Sequence, residues 1–177
     1  AAKGTETFAA VTLHIDTPRW QGVPFILRTG KALSALRQHV AIRFKAAPYV
    51  TFGQHRSPRS NLLVLGLSPD RVELHIDVNG EGELFDLEPA KMVCVFATQD
   101  VTPYGRVILD VLHGDPTLSI RGDEAEQSWR IVEPILAEWA KGNPLLAEYP
   151  AGSDGPPGDA WTEAVVPPEA PPEAAGT

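Results

Sequence analysis

Asp70-Arg71-Val72-Glu73-Leu74-His75-Ile76-Asp77-Val78 alternates polar and apolar residues without a break. Successive side chains of a strand point to opposite faces. Val72, Leu74, Ile76 and Val78 therefore share one face, and Arg71, Glu73, His75 and Asp77 share the other. The pattern reads as a half-buried strand with one wet face, and it does not fit a helix, where apolar residues recur at every third or fourth position. Ser68-Pro69-Asp70 before it and Asn79-Gly80-Glu81-Gly82 after it are turn sequences. Residues 62–67 are continuously apolar apart from Gly66. They read as a central strand in which Gly66 marks a bulge or a close backbone approach.

Further strands follow on both sides. In residues 7–16, Ala9, Val11, Leu13 and Ile15 share one face, while Phe8, Thr12 and His14 share the other. His14 reads as a surface histidine. Residues 23–28, between Gly22 and Gly30, form a short apolar strand, and a polar loop runs from Thr29 to Arg37. Val40, Ile42 and Phe44 alternate with His39, Ala41 and Arg43 in another. Residues 46–60, with Pro48, Gly53 and Pro58, read as a long loop. Glu83 to Leu87 reads as a short strand and Lys91 to Ala97 as a further one. The period then changes. Tyr104, Val107, Ile108, Val111 and Leu112 recur at helical spacing, and Gly114 closes that helix. Leu118 to Ile120 is read as extended. Asp123 with Glu126 three residues on is expected to be a capping box for a second helix, whose apolar face is Ala125, Trp129, Val132, Leu136 and Trp139. Pro134 is expected to kink or split that helix near Val132. Strands first and helices last, with no regular βαβ alternation, give an α+β fold: a large, mainly antiparallel sheet with helices on one face. Residues 1–150 form one domain. Residues 151–177, rich in Pro, Ala, Gly and Glu, are expected to be a disordered acidic tail.

Charge is unevenly spread. The net charge is −8, yet no Asp or Glu lies between Asp16 and Asp70, a stretch that holds Arg19, Arg28, Lys31, Arg37, Arg43, Lys45, Arg56 and Arg59. Such a stretch makes either a basic surface facing an anion or a solvated sheet face whose arginines pair with acids elsewhere. Six acids and no Lys or Arg follow Lys141, so the rest of the chain stands near −2. An overall pI of about 5.1 and the lack of a DNA- or RNA-binding motif argue against a nucleic-acid module. No run approaches the roughly 18 apolar residues of a membrane span, and no secretory-signal pattern is present, so a cytoplasmic home is expected. The chain begins at Ala1 rather than Met, as expected of a trimmed or partial product. Cys94, the one cysteine, lies in an apolar run and reads as a buried structural thiol. No Gly-x-Gly-x-x-Gly, metal-ligand spacing or Gly-x-Ser-x-Gly is present.

Trp20-Gln21-Gly22-Val23-Pro24-Phe25-Ile26-Leu27-Arg28-Thr29-Gly30-Lys31-Ala32-Leu33 is a strand that delivers two cations to a Thr-Gly turn. It resembles the strand and loop of glucose-6-phosphate dehydrogenases that carry a substrate-binding lysine. Gly4-Thr5-Glu6-Thr7-Phe8-Ala9-Ala10 resembles the opening of the C-terminal domain in that family. Leu109-Asp110-Val111, Gly114-Asp115, Asp123-Glu124, Trp129-Arg130 and Tyr149-Pro150-Ala151-Gly152-Ser153 follow in the order and spacing of the family. The resemblance spans residues 4–155.

The resemblance implies a large sheet with helices on one face, the sheet also forming the contact of a homodimer or tetramer. It implies that Lys31 contacts the phosphate of glucose 6-phosphate, a task that suits an ammonium on a flexible stem. The family usually has a second cation five residues later; here that position is Leu36, and the adjacent Arg37 is the candidate substitute. Arg28 matches a position that helps hold a second, structural NADP in some members. Ser60 and Cys94 fall where some of those members have charged residues, which argues against such binding. The catalytic histidine, its acidic partner and the main phosphate motif lie upstream in the family, near a Rossmann domain. No residue of this chain is therefore assigned to catalysis, and the chain alone is expected to be inactive. The reading is a C-terminal substrate-binding and oligomerisation domain of an NADP-dependent glucose-6-phosphate dehydrogenase, the first oxidative step of the pentose phosphate pathway. It would act with a Rossmann-type N-terminal domain in cis or in trans that binds most of the NADP, and without a metal. The alternative is a stand-alone, non-catalytic binding or scaffold protein derived from the family.

Overall fold

The computed structural model describes residues 5–46, 60–68, 70–81, 87–97 and 101–157. It is α+β, with antiparallel sheets and two helices. The described residues divide into two compact units. One comprises 8–97 and 150–157, with all the strands; the other comprises 5–7 and 101–149, with both helices.

In the strand unit, β1 (Phe8–His14) pairs antiparallel with β2 (Pro24–Gly30), from Phe8 opposite Gly30 to His14 opposite Pro24. A second sheet has the order β3 (Gln38–Arg43), β4 (Leu62–Ser68), β5 (Asp70–Asn79), β6 (Leu87–Val95), with every neighbour antiparallel. The single large sheet expected from the sequence is thus two sheets among the described residues, joined by the loop between Gly30 and Gln38. The bulge expected at Gly66 lies beside it. His39 pairs with Gly66 and Gln38 with Ser68, so Leu67 is the extra residue of β4. The loop expected at 46–60 and the short strand at 83–87 fall largely on residues outside those described.

The polar row of β5 was expected to be wet. Instead Glu73 is 3% exposed, and Val64, opposite it on β4, is 0% exposed. Burial is tolerated because the carboxylate has two cations and a histidine ring nitrogen around it. Arg71 Nε donates to one oxygen at 2.5 Å, His75 Nε2 lies 3.2 Å from the other, and Lys91 Nζ is 4.0 Å away on β6. Residues two apart on β5 share a face, and Lys91 sits opposite His75, so the register assembles the group. The reverse face is the more open one. Val40, Ile42 and Met92 are exposed, and so is Cys94, which pairs with Val72 on edge strand β6. The expected buried thiol is therefore a surface thiol, because an apolar run on an edge strand does not by itself place a residue in a core.

In the helical unit, α1 (Pro103–His113) starts at Thr102, whose hydroxyl accepts the Gly105 N–H at 3.2 Å. Pro103 occupies the first turn, where no N–H is needed. Gly114 ends the helix at φ 71°, as its sequence position predicts. Asp110, buried on this helix, pairs with Arg106 Nε at 3.2 Å. α2 (Gly122–Ala140) begins two residues earlier than the expected box at Asp123 and Glu126. The Glu124 carboxylate accepts the Arg121 N–H at 3.1 Å, while the Arg121 guanidinium grips Asp123 at 2.7 and 3.0 Å. Arginine has no acceptor, so only the glutamate half of a capping box forms. Pro134 does not split the helix, which runs unbroken through it. Proline removes one N–H, and the carbonyl it leaves, that of Arg130, lies on an exposed turn open to solvent. Leu118 lies in a turn rather than an extended segment, closed by the Ser119 N–H on the Pro116 carbonyl at 2.9 Å. The Tyr149 hydroxyl donates to the Thr7 carbonyl at 3.0 Å and joins the two ends of this unit.

The Glu73 carboxyl feels opposing effects. Burial raises its pKa, but the hydrogen bonds from Arg71 and His75 and the charge of Lys91 together hold it below the usual 4.5. A lowered folded-state pKa means the unfolded chain takes up the proton first. The stabilisation is whole above about pH 4.5 and is lost as pH falls through the folded-state value. Glu73→Gln is expected to cost about 2 kcal/mol at pH 7, less than a fully buried pair because its partners are partly exposed. Urea unfolding midpoints measured from pH 7 to 3 should show that loss, with a shallower acid dependence in the variant.

Candidate functional site

β2 carries the site. Its residues Arg28 and Gly30 share a face with Phe8 and Ala10 of β1. The Arg28 guanidinium lies 5.4 Å from the centre of the Phe8 ring, a cation–π distance. Arg28 Nε is buried without a hydrogen-bond partner among the described residues. Gly30 ends the strand, and a Cβ there would come within 2.7 Å of Phe8 Cδ2. Glycine is thus required because the chain passes directly over the ring.

Lys31 follows at once and is exposed, so its ammonium stands at the end of an ordered strand. Ala32 comes next at φ 51°, in the left-handed region. That conformation costs a residue with a Cβ roughly 1–2 kcal/mol, and it persists only where neighbours fix it. The neighbours are residues of the expected tail. The Gly152 N–H donates to the Ala32 carbonyl at 2.8 Å, and the Ser34 N–H donates to the Ser153 carbonyl at 2.9 Å. The Ser34 hydroxyl donates to the Asp154 carboxylate. Gly155, at φ 107°, lies against the same Phe8 ring, where an added Cβ would sit 2.7 Å from Phe8 Cε2. Residues 151–157 are therefore bound to the strand unit, unlike the expected tail beginning at 151; residues 158–177 lie outside those described.

Arg37 closes the same loop just before β3 and is exposed. Lys31 and Arg37 thus bound one connection, at opposite ends. Leu36, in the place of the expected second cation, is 85% exposed. Arg37 also acts on the charged face of the second sheet. His39 has its pKa lowered, first by burial and then by the charges of Arg37 and Arg71, with Glu73 acting the other way. His39 is thereby held towards its neutral form.

The sequence reading missed Ser34, Asp154 and Phe8. A Gly-Ser-Asp-Gly run between prolines was the available signal, since such residues also build ordered turns. Here Ser153 Oγ donates to the Pro150 carbonyl at 2.7 Å, and the Gly155 N–H donates to that same hydroxyl at 3.3 Å. Among the described residues no group of three or more His, Cys, Asp or Glu is placed to hold a metal ion. No helix among them is long and apolar enough to cross a membrane. What the site offers is a cation on a fixed loop, which suits an anionic ligand rather than acid–base work.

The sequence matches the model of the family described as the C-terminal domain of glucose-6-phosphate dehydrogenase over residues 1–163. It is 39% identical over 158 residues to the glucose-6-phosphate 1-dehydrogenase of Mycolicibacterium smegmatis, covering 86% of this chain and 32% of that protein. It is 38% identical over 175 residues to the glucose-6-phosphate 1-dehydrogenase of Gluconobacter oxydans, covering 90% and 35% respectively. The fold is similar to the crystal structure of glucose-6-phosphate 1-dehydrogenase from Mycobacterium avium, with a TM-score of 0.72 and 32% identity, over 88% of this chain and 33% of that one. A glucose-6-phosphate dehydrogenase solved in complex with glucose-6-phosphate gives a TM-score of 0.76 at 27% identity, over 89% of this chain and 33% of that one. The chain spans about a third of the length of the curated relatives it matches.

Because Ala32 is held left-handed, Ala32→Val should lower stability by about 1–2 kcal/mol, since a β-branched side chain tolerates positive φ poorly. Ala32→Gly should be neutral or stabilising. Thermal unfolding of the two variants beside the parent chain checks the order.

Proposed function

The chain belongs to the glucose-6-phosphate dehydrogenase C-terminal domain family, and from that premise we propose that it supplies the sugar-phosphate wall and the oligomer contact of an NADP-dependent glucose-6-phosphate dehydrogenase. The observation that carries the reading is the family match over residues 1–163 combined with an intact strand and loop around Lys31. Lys31 is proposed to pair with the phosphate of glucose 6-phosphate. A compact ammonium is a good partner for a doubly charged phosphate, and its binding energy orients the sugar. Arg37 is the proposed substitute for the cation that Leu36 replaces. Arg37 is exposed at the β3 end of the same loop, which leaves its side chain free to turn towards the phosphate.

Oxidation of the sugar requires a nicotinamide to accept hydride and a base to take the hydroxyl proton. These are proposed to come from a Rossmann-type domain joined in cis or in trans, with NADP as the cofactor and the cytoplasm as the setting. A homodimer or tetramer through the sheet is proposed, and the open Val40, Ile42 and Met92 face is consistent with it. Arg28 fits a second NADP poorly. Its Nε is closed off and its guanidinium is engaged with Phe8.

In the full-length enzyme carrying this domain, Lys31→Ala should raise the KM for glucose 6-phosphate about 10- to 100-fold with little change in the KM for NADP. An unchanged sugar-phosphate KM would sink the role given to Lys31. Separately, NADP at millimolar concentration should leave the melting temperature of this chain unchanged. A saturable rise would restore Arg28 as a cofactor contact.

A further inference from the structure

We propose that Ser34 and Asp154 are positioning residues for Lys31, through a strap formed by residues 150–156. The proposal rests on the reading of Lys31 as the phosphate contact. A lysine at the end of a strand is useful for phosphate only if its backbone is fixed, because its four-carbon stem is already mobile. The residue after it, Ala32, adopts φ 51°, which a free loop would abandon. The strap supplies three bonds just beyond Lys31. They are the Gly152 N–H to the Ala32 carbonyl at 2.8 Å, the Ser34 N–H to the Ser153 carbonyl at 2.9 Å, and the Ser34 hydroxyl to Asp154.

The residue before Lys31 is fixed by a separate contact. Gly30 and Gly155 both lie against the Phe8 ring, with no room for a Cβ on either. One end of the strap thus presses the ring that Gly30 rests on, while its middle bonds Ala32 and Ser34. Lys31 is held from both sides by one segment. Asp154 and Ser34 are exposed, so their hydrogen bond is not needed to fill a core. Its use is local: the side-chain pair closes the strap over the loop. The anion that binds is held by the cation, and the strap sets where the cation stands.

The test uses steady-state kinetics on the full-length dehydrogenase carrying this domain, and amide hydrogen exchange on the chain itself. Asp154→Ala should raise the KM for glucose 6-phosphate about 5- to 20-fold, leave kcat and the KM for NADP within twofold, and speed exchange of residues 31–36. Ser34→Ala removes the same bond from the other end and should do the same. Asp154→Asn keeps the acceptor oxygen and should restore parent behaviour. Lys31→Ala combined with Asp154→Ala should be no worse than Lys31→Ala alone, since the strap acts through that lysine. A large effect of Lys31→Ala with none from Asp154→Ala or Ser34→Ala overturns the strap and leaves the Lys31 reading standing. No effect of Lys31→Ala removes the reading underneath. An Asp154→Ala variant that loses melting temperature and worsens both substrates alike has a structural residue only, which also overturns the proposal.

Discussion

A carboxylate that is almost wholly buried must find polar partners or lose its charge, and Glu73 finds three: two cations and a histidine ring. Two of its partners, Arg71 and His75, stand two residues away on the same strand; the third, Lys91, comes from β6. The arrangement holds only in one register. A slip of one residue in β5 would turn Glu73 to the opposite face, among Leu63, Leu65 and Met92, away from Lys91. The ion cluster therefore specifies strand pairing as much as it stabilises it. It also orders the potential along the face. Burial first, and then the charges of Arg37 from the loop and Arg71 across β4, keep the His39 ring towards neutrality.

Around Phe8 the constraint is steric rather than electrostatic. One ring has Arg28 over its face and two glycines against its Cδ2–Cε2 edge, and those glycines are far apart in the sequence. Such close approach is available only to residues without a Cβ. The consequence is a short strand, β2, whose last residue is anchored although the two-stranded sheet it belongs to is small. A pair of strands is marginal by itself. Packing of Phe8 against Gly155 and hydrogen bonding by residues 152–154 lend it partners that the sheet lacks.

Much of this fold was legible because its signals are local. The alternation in 70–78 marks β5, the apolar run at 62–67 marks β4 with its bulge beside Gly66, and the helical spacing that ends in Gly114 marks α1. What stayed hidden depends on distant partners. Whether the Glu73 row meets solvent depends on what covers that face, and alternation is the same for either answer. Cys94 sits in an apolar run, yet an edge strand leaves it exposed. Residues 151–157 share the composition of the residues after them, so their attachment to Ala32 and Ser34 does not show in composition. Lys31 was found through a resemblance as well as through its strand-and-turn setting. Ser34 carried no signal, and the Gly-Ser-Asp-Gly run around Asp154 marks a turn but not its partner, because residues 120 positions apart leave no spacing to read.

That same separation has a meaning in time. A chain is made from its N-terminal end, at roughly 5–20 residues per second, and can pair only what has already emerged. Ser34 leaves the ribosome 120 residues ahead of Asp154, so the Lys31 loop stays unset for roughly 6–24 s of synthesis. During that interval β1 and β2 can pair, but the left-handed turn at Ala32 has nothing to hold it. The Lys31 loop is thus among the last parts of this chain to take shape, although it precedes most of it.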